Sequence, residues 1–239
     1  MIILYILLGI VSLFILFLLV TLISSLFVTK EEYTKNNKFY RWLYNVWAIL
    51  AVGASGIRVK VKGEEKIPEG SRFLMVENHV SNFDAIVTGY ALRKYKLAVI
   101  SKPEVMKIFA FGKIIKKCCF LSINREDPRI AIETIRKASN LIKSDEVSVL
   151  LYPEGTRSKT GELLPFHNGT LKIARNANVP IVVGVIKGTE NVKNNFPLKR
   201  TKVTLEIIKV VDAEKVRSFT TGELGDYIRN LMLENLNQE

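Results

Sequence analysis

The stretch that decides the fold runs Phe73-Leu74-Met75-Val76-Glu77-Asn78-His79-Val80-Ser81-Asn82-Phe83-Asp84. Its first four residues are apolar and predict a buried strand, and the polar residues that follow are typical of a turn. Asp84 then opens a segment, residues 85 to 92, that we predict to be helical. The sequence therefore predicts a strand, a turn and a helix in direct succession.

Two side chains of this stretch can act together. His79 lies at the predicted carboxyl end of the strand, and Asp84 follows it five residues later. A turn of that length can aim the carboxylate at one imidazole nitrogen and leave the other free to take a proton, as in the base and orienting acid of a triad. The alternative is a loop histidine beside an aspartate that only caps a helix. These residues alone leave both interpretations open.

Length and charge limit the classes of protein to consider. A chain of 239 residues is long enough for one sizeable domain with an appendage. Its 35 lysines and arginines outnumber 23 acidic residues, giving a formal charge of +12, so we expect anionic partners: nucleic acid, an anionic membrane surface or phosphorylated substrates. The two cysteines are adjacent and only two histidines occur. We therefore predict a reducing compartment, no disulfide framework and no metal site.

The amino-terminal segment predicts a membrane anchor. The first 29 residues carry no charged side chain, and as a helix residues 2 to 28 would reach about 40 Å, more than the ~30 Å of a hydrocarbon core. A cleaved secretory signal fits poorly, because the run is too long and lacks both a basic start and a small-residue cleavage site. The basic residues that follow, Lys30, Lys35, Lys38 and Arg41, predict a cell-membrane protein whose remaining chain lies on the cytoplasmic side.

A second apolar segment follows the anchor. Residues 39 to 52 hold both tryptophans, two tyrosines and an arginine, in a run too short to span a bilayer easily. This mixture favours a helix in the headgroup region, which would complete an N-terminal hydrophobic helical hairpin. A short second span and an ordinary core-packing helix are the alternatives. We divide the chain into an anchor and interfacial helix, residues 1 to 55, and a soluble domain, residues 56 to 239.

The soluble part alternates strand and helix patterns. Strands are predicted at residues 57 to 62, 73 to 76, 97 to 100, 118 to 123, 147 to 151, 181 to 186 and 203 to 211. Helices are predicted from Asp84, from Asp127-Pro128, over Thr170 to Ala177, and over Thr221 to about Glu234. This alternation predicts an α/β fold with a mostly parallel sheet flanked by helices.

Ligands of such sheets gather outside the carboxyl ends of the strands. Four predicted strands end there at polar residues, namely His79, Lys102, Arg125 and the run Glu154 to Arg157. Their shared position favours the catalytic interpretation of His79.

A second motif, Tyr152-Pro153-Glu154-Gly155-Thr156-Arg157-Ser158, follows one of these strands. Gly155 permits an unusual backbone conformation, Arg157 can donate two hydrogen bonds to a phosphate, and Thr156 adds a hydroxyl. Glu154 can hold an arginine or meet a substrate hydroxyl. A surface turn with a solvated ion pair is the alternative. The phosphate-binding Gly-x4-Gly-Lys-Ser/Thr pattern is absent from the sequence, so nucleotide binding is not indicated.

His79-x4-Asp84 together with Tyr152-Pro153-Glu154-Gly155-Thr156-Arg157 resembles the glycerolipid acyltransferase family, in particular 1-acylglycerol-3-phosphate acyltransferases. Ile123-Asn124-Arg125 between the motifs and Val179-Pro180-Ile181-Val182 after them strengthen the resemblance, which covers residues 56 to 212. It implies a glycerol-3-phosphate acyltransferase-like fold. Four positions depart from the usual family pattern: Cys119, Asn124, Tyr152 and His167.

The resemblance also implies roles for the residues. His79 would be the general base that Asp84 orients, taking the proton from the sn-2 hydroxyl of lysophosphatidic acid so that it attacks the thioester of acyl-carrier protein or acyl-CoA. Phosphatidic acid is formed without an acyl-enzyme, and no cofactor is needed beyond the acyl thioester co-substrate. The acceptor site would comprise Arg125 and Arg157 on the phosphate, Lys102 by position, and Glu154, Gly155 and Thr156.

Other functions use part of the same pattern. Glycerol 3-phosphate or another lysophospholipid can serve as acceptor in the same fold. A thioesterase would use His79 and Asp84 to activate water, and a membrane-anchored module would only bind anionic lipid through the basic surface. Gly53-Ala54-Ser55-Gly56 only approaches a serine hydrolase motif. The sequence has no nucleic-acid recognition motif to accompany its net positive charge, so we predict no nucleic-acid partner. We expect the basic residues to contact the anionic membrane and the anionic substrates instead.

Overall fold

The computed structural model describes residues 1–29, 31–124 and 127–238. The helices are α1 Ile2–Leu26, α2 Lys38–Ala54, α3 Asp84–Ala91, α4 Phe109–Lys117, α5 Pro128–Lys143, α6 Lys172–Ala177, α7 Val192–Asn195, α8 Ala213–Ser218 and α9 Thr221–Leu236. The strands are β1 Ile57–Lys62, β2 Leu74–Glu77, β3 Leu97–Ser101, β4 Leu121–Ser122, β5 Ser148–Leu151, β6 Ile181–Lys187 and β7 Thr201–Val211.

The strands form one sheet in the order β1-β7-β6-β2-β5-β3-β4. All neighbouring strands are parallel except β6 and β7, which are antiparallel. The prediction of a mostly parallel sheet flanked by helices is therefore confirmed. In the centre, Val76 of β2 pairs with Leu151 of β5, and Val99 of β3 pairs with Leu150. The carboxyl ends of these three strands consequently lie side by side.

Successive residues of β2 point to opposite faces of the sheet, as strand geometry requires. Leu74 and Val76 pack into a core that includes buried residues of α5, α6 and α9. Phe73 and Met75 pack into a second core that includes residues of α2 and α3. The strand is covered on both sides, which explains why it reads as a continuous apolar run.

The amino-terminal hairpin packs on itself and on the domain. The hydroxyl of Tyr40 donates to the Ser24 carbonyl of α1 at 2.8 Å, and Trp47 Nε1 donates to Thr21 Oγ1 at 3.3 Å. Within the described residues, α1 is the one helix long and apolar enough to cross a membrane, and nearly all of its most hydrophobic part is exposed. An apolar helix that the protein leaves uncovered is suited to a lipid environment.

One face of α2 is buried, as the core-packing alternative requires. Arg41 is only 6% exposed, and its guanidinium donates to the carbonyls of Leu97 and Cys118 at 2.7 and 2.8 Å. The Arg41 side chain thus links α2 to the start of β3 and to the end of α4. It supplies a hydrogen-bond donor to the Cys118 carbonyl, which the helix α4 itself leaves without a partner. The opposite face exposes Phe39, Trp42, Ile49 and Leu50. The division of the chain at residue 55 stays a prediction.

Three local predictions were wrong or incomplete. The strand predicted at residues 118 to 123 contains only Leu121–Ser122, because Cys118 and Cys119 form the turn that ends α4. Cys119 has a φ of +62°, which is incompatible with a strand. The sequence interpretation assigned no helix to residues 109 to 117, where α4 lies. The last helix continues to Leu236, past the end predicted near Glu234.

Candidate active site

The candidate site lies where β2, β5 and β3 end. His79 Nδ1 lies 2.7 Å from Oδ2 of Asp84, the first residue of α3. The Asp84 side chain is fully buried, whereas the His79 side chain is 20% exposed. The turn between them therefore brings the carboxylate onto one imidazole nitrogen while solvent or a ligand can reach the ring.

The surroundings of Asp84 fix the tautomer of His79. Oδ2 also accepts hydrogen bonds from the backbone N–H groups of Val80 and Ser81, both at 2.8 Å. Oδ1 accepts from the hydroxyl of Thr189 at 2.5 Å. Because the backbone partners can only donate, Oδ2 is an acceptor and the proton of the shared bond lies on Nδ1. The Nε2 atom of His79 is then left with a lone pair that can accept a proton.

The second motif holds the His79 turn in place. The backbone N–H of His79 donates to Oε1 of Glu154 at 2.7 Å, and the His79 carbonyl accepts from the N–H of Ser158 at 2.8 Å. The imidazole also stacks on the ring of Tyr152, with 4.2 Å between centroids and 20° between the planes. Backbone and ring of the histidine are thus both positioned by the loop that follows β5.

The Glu154 carboxylate is held by backbone N–H groups, and its contact with the substrate stays a prediction. Its second oxygen accepts from the N–H of Leu164 at 2.9 Å, and the residue is 3% exposed. Burial raises the pKa of this carboxyl, and the hydrogen bonds from the Leu164 and His79 backbone oppose that shift. With both oxygens bound to backbone N–H groups, Glu154 links the His79 turn to the loop after β5.

A second buried acid lies behind the pair of His79 and Asp84. The carboxyl oxygens of Glu77 lie 3.0 and 2.8 Å from the hydroxyl of Thr88 on α3. Burial, and then the charge of Asp84, raise the pKa of Glu77 well above its ordinary value. The hydrogen bonds of Glu77 join the end of β2 to α3, and His79 follows β2 while Asp84 begins α3.

A mainly apolar cavity of about 460 Å³ opens beside His79. Its polar lining includes His79, Asn82, Ser101, Lys102 and Arg157, together with the backbone at Gly155. The apolar lining comes from α2, α3, α4, β3 and the segment before α4, and includes Tyr44, Ala85, Ile86, Val99, Val105, Ile108, Phe111, Ile115 and Phe120. A proton acceptor, two cations and an apolar chamber are therefore combined in one site.

The other predicted site residues are placed as follows. Gly155 has a φ of +75°, the left-handed conformation that its residue type was expected to permit. Thr156 is exposed on the same loop and is not part of the cavity lining. His167 lines a neighbouring cavity of about 420 Å³, which shares Ile100, Tyr152 and Gly155 with the first. Arg125 lies outside the described residues.

The Acyltransferase family model matches residues 58–187, more than half of the chain, and the protein therefore belongs to the Acyltransferase family. The resemblance inferred from the two motifs is confirmed. The match begins in β1 and ends with β6, so it includes every strand end that forms the site.

Individual relatives carry a more specific name. The chain is 27% identical to a 1-acyl-sn-glycerol-3-phosphate acyltransferase of Limnanthes douglasii over 182 residues, 75% of this chain and 63% of the plant protein. It is 29% identical to the enzyme of that name from Haemophilus influenzae over 176 residues, 72% of this chain and 73% of the relative. The alignment with the two Limnanthes proteins thus spans less than two thirds of their length.

A solved structure extends the similarity to nearly the whole chain. The crystal structure of the 1-acyl-sn-glycerophosphate (LPA) acyltransferase, PlsC, from Thermotoga maritima has a TM-score of 0.69 and 26% identity. The superposition covers 92% of this chain and 88% of that protein.

Proposed function

We propose that this protein transfers an acyl group from an acyl thioester, either acyl-carrier protein or acyl-CoA, to the sn-2 hydroxyl of lysophosphatidic acid, which yields phosphatidic acid. The observation that carries the proposal is the His79–Asp84 pair beside a mainly apolar cavity bordered by cations. The names of the plant and bacterial relatives and of the Thermotoga maritima structure support the same reaction.

In the proposed mechanism His79 Nε2 takes the proton of the acceptor hydroxyl as its oxygen attacks the thioester carbonyl. A carbon–oxygen bond forms, and the carbon–sulfur bond of the tetrahedral intermediate then breaks. The imidazolium returns its proton to the leaving thiolate, so that the histidine ends each cycle neutral. Asp84 keeps Nδ1 protonated and stabilises the imidazolium in between. No acyl-enzyme and no cofactor beyond the thioester co-substrate are involved.

Different parts of the site suit different parts of the substrates. Apolar walls from α3, α4 and β3 suit the transferred acyl chain, whose hydrophobic surface gains from leaving water. Lys102 and Arg157 line the same cavity and are placed to bind the acceptor phosphate, with Arg125 added by resemblance to the family. Gly155 leaves room for backbone contact with the acceptor, and the exposed Thr156 can add a hydroxyl.

We further propose that α1 anchors the protein in the cell membrane, with the acyltransferase domain on the cytoplasmic side. The exposed apolar surface of α1 favours lipid contact, and the excess of basic residues favours an anionic membrane surface. The anchor would hold the site close to an acceptor and a product that both reside in lipid.

The acceptor is tested with purified, detergent-solubilised protein and a labelled acyl thioester. Lysophosphatidic acid, glycerol 3-phosphate and monoacylglycerol are supplied in parallel, and labelled products are separated. We expect labelled phosphatidic acid from lysophosphatidic acid and far less product from monoacylglycerol, which lacks the phosphate. Equal use of monoacylglycerol would refute the assignment of Lys102 and Arg157, and preference for glycerol 3-phosphate would refute the assigned acceptor.

A further inference from the structure

An exposed apolar corner lies between β3 and α4. Pro103–Lys107 forms a short 3-10 turn, and Ile108 connects it to Phe109, the first residue of α4. Ile108 is 52% exposed and Phe109 is 79% exposed. Adjacent large apolar side chains at such exposure are costly in water and indicate a contact surface.

The corner is continuous with the part of the molecule that is suited to lipid. On its buried side, Ile114 and Ile115 of α4 pack into a cluster that contains Phe17 and Val20 of α1. Helix α4 is therefore held against the apolar helix α1. On the other side, Val105, Ile108 and Phe111 form part of the wall of the cavity beside His79. The corner thus connects the predicted anchor with the proposed acyl site.

The charge of the corner is complementary to an anionic surface. Residues 102 to 117 contain five lysines and a single acidic residue, Glu104. Lys102, Lys107 and Lys113 are exposed. Protein surfaces that bind anionic membranes combine these two features: basic side chains contact the lipid headgroups, and exposed apolar side chains insert beneath them.

We propose that the corner at residues 103 to 113 docks on an anionic bilayer, with Ile108 and Phe109 inserted among the acyl chains and with Lys107 and Lys113 at the headgroups. The cavity beside His79 then opens toward the lipid rather than toward bulk water. This contact is additional to the anchor α1. We infer that this contact lets acyl chains pass between the bilayer and the cavity, and this inference rests on the proposed function. The membrane contact itself is independent of the proposed function.

The contact is tested by fluorescence of the full chain reconstituted in vesicles. A single cysteine is introduced by Phe109→Cys and labelled with an environment-sensitive dye. Cys118 and Cys119 are buried, and burial raises their thiol pKa values to about 11 and about 12, so they compete poorly for the label. The matched control is Leu198→Cys, since Leu198 is another apolar residue, 92% exposed, in the connection between α7 and β7.

The vesicles contain phosphatidylglycerol and phosphatidylcholine whose acyl chains carry a spin-label quencher. We expect a blue-shifted emission at position 109 and quenching at least about twofold stronger than at position 198. Equal quenching at both positions would overturn the proposal. So would a dye at position 109 that responds only when acyl-carrier protein is added, because the corner would then be a protein-docking surface.

A second experiment uses unlabelled variants, in case the dye itself disturbs the corner. Removing one inserted aromatic side chain by Phe109→Ser should lower transfer to vesicle-borne acceptor by about fivefold or more while transfer in detergent micelles changes little. Leu198→Ser serves as the control in both media. An equal loss in vesicles and micelles would contradict the docking model. Complete inactivity of the wild type would refute the proposed reaction but leave the fluorescence test valid.

Discussion

The substitution Asp84→Asn removes one charge from the site and leaves the hydrogen bonds around it possible. The amide oxygen can replace Oδ2 and accept from His79, Val80 and Ser81. The amide NH₂ group then faces the hydroxyl of Thr189, which can accept as well as donate. This arrangement keeps the proton on Nδ1 of His79, so the correct tautomer survives and only the electrostatic stabilisation of the imidazolium is lost.

The size of that loss follows from the geometry. With opposite charges about 4 Å apart and an effective dielectric constant of about 20, the interaction is about 4 kcal/mol. Partial exposure of the His79 side chain lowers this value, so we take about 2 to 4 kcal/mol. The rate of acyl transfer should therefore fall by about 30-fold to 1000-fold.

The assay is single-turnover transfer from a labelled acyl thioester, with circular dichroism and thermal unfolding as controls for the fold. Asp84→Ala is the comparison, because it also releases the imidazole and should be slower than Asp84→Asn. Transfer by folded Asp84→Asn within about threefold of wild type would refute the reasoning, since the buried charge would then contribute little to the transition state.

Three further predictions concern stability. The Glu77 pKa is raised by burial and by the Asp84 charge, so Glu77 should lower the wild-type free energy of unfolding by up to about 1.4 kcal/mol per pH unit as pH rises above the ordinary value of 4.5. Denaturant titrations at several pH values should show a smaller fall for Glu77→Gln, which keeps only the contribution of Glu154, whose pKa is also raised by burial; an equal fall would contradict this assignment. Arg41→Met leaves two buried carbonyls without their donor and should cost about 2 to 4 kcal/mol, whereas the exposed Arg93→Met should cost little in the same titrations. The hydroxyl of Tyr152 is buried with no hydrogen-bond partner among the described residues, so Tyr152→Phe should raise the melting temperature, and a lower one would contradict this reading.

The part of the site that could be predicted from the sequence is the part that is local in the chain. β2, the turn at His79 and the start of α3 fall within twelve residues, so the strand pattern and the spacing to Asp84 are visible together. The alternation of strands and helices likewise indicated which strand ends would meet. Lys102 and Arg157 were placed at those ends and do line the cavity beside His79.

What could not be predicted depends on contacts between distant segments. Thr189, in the 3-10 turn after β6, bonds to Asp84 across 105 residues, and its residue type carries no signal of that contact. Both oxygens of Glu154 bind backbone N–H groups, and its residue type gives no indication of these contacts. Arg41 was interpreted as a membrane-flanking charge, although tertiary packing buries it against α4. Helix α4 itself escaped prediction, since the sequence before Cys118 combines glycine and lysines with apolar residues.

The most direct measurement of the central claim is the fate of a labelled acyl thioester when lysophosphatidic acid and water compete for it. The chain has only two histidines, so His79→Ala and His167→Ala form a matched pair of variants. Our account predicts labelled phosphatidic acid from wild type and from His167→Ala, and its loss from folded His79→Ala. Labelled free fatty acid as the main wild-type product, or phosphatidic acid formed equally well by His79→Ala, would contradict it.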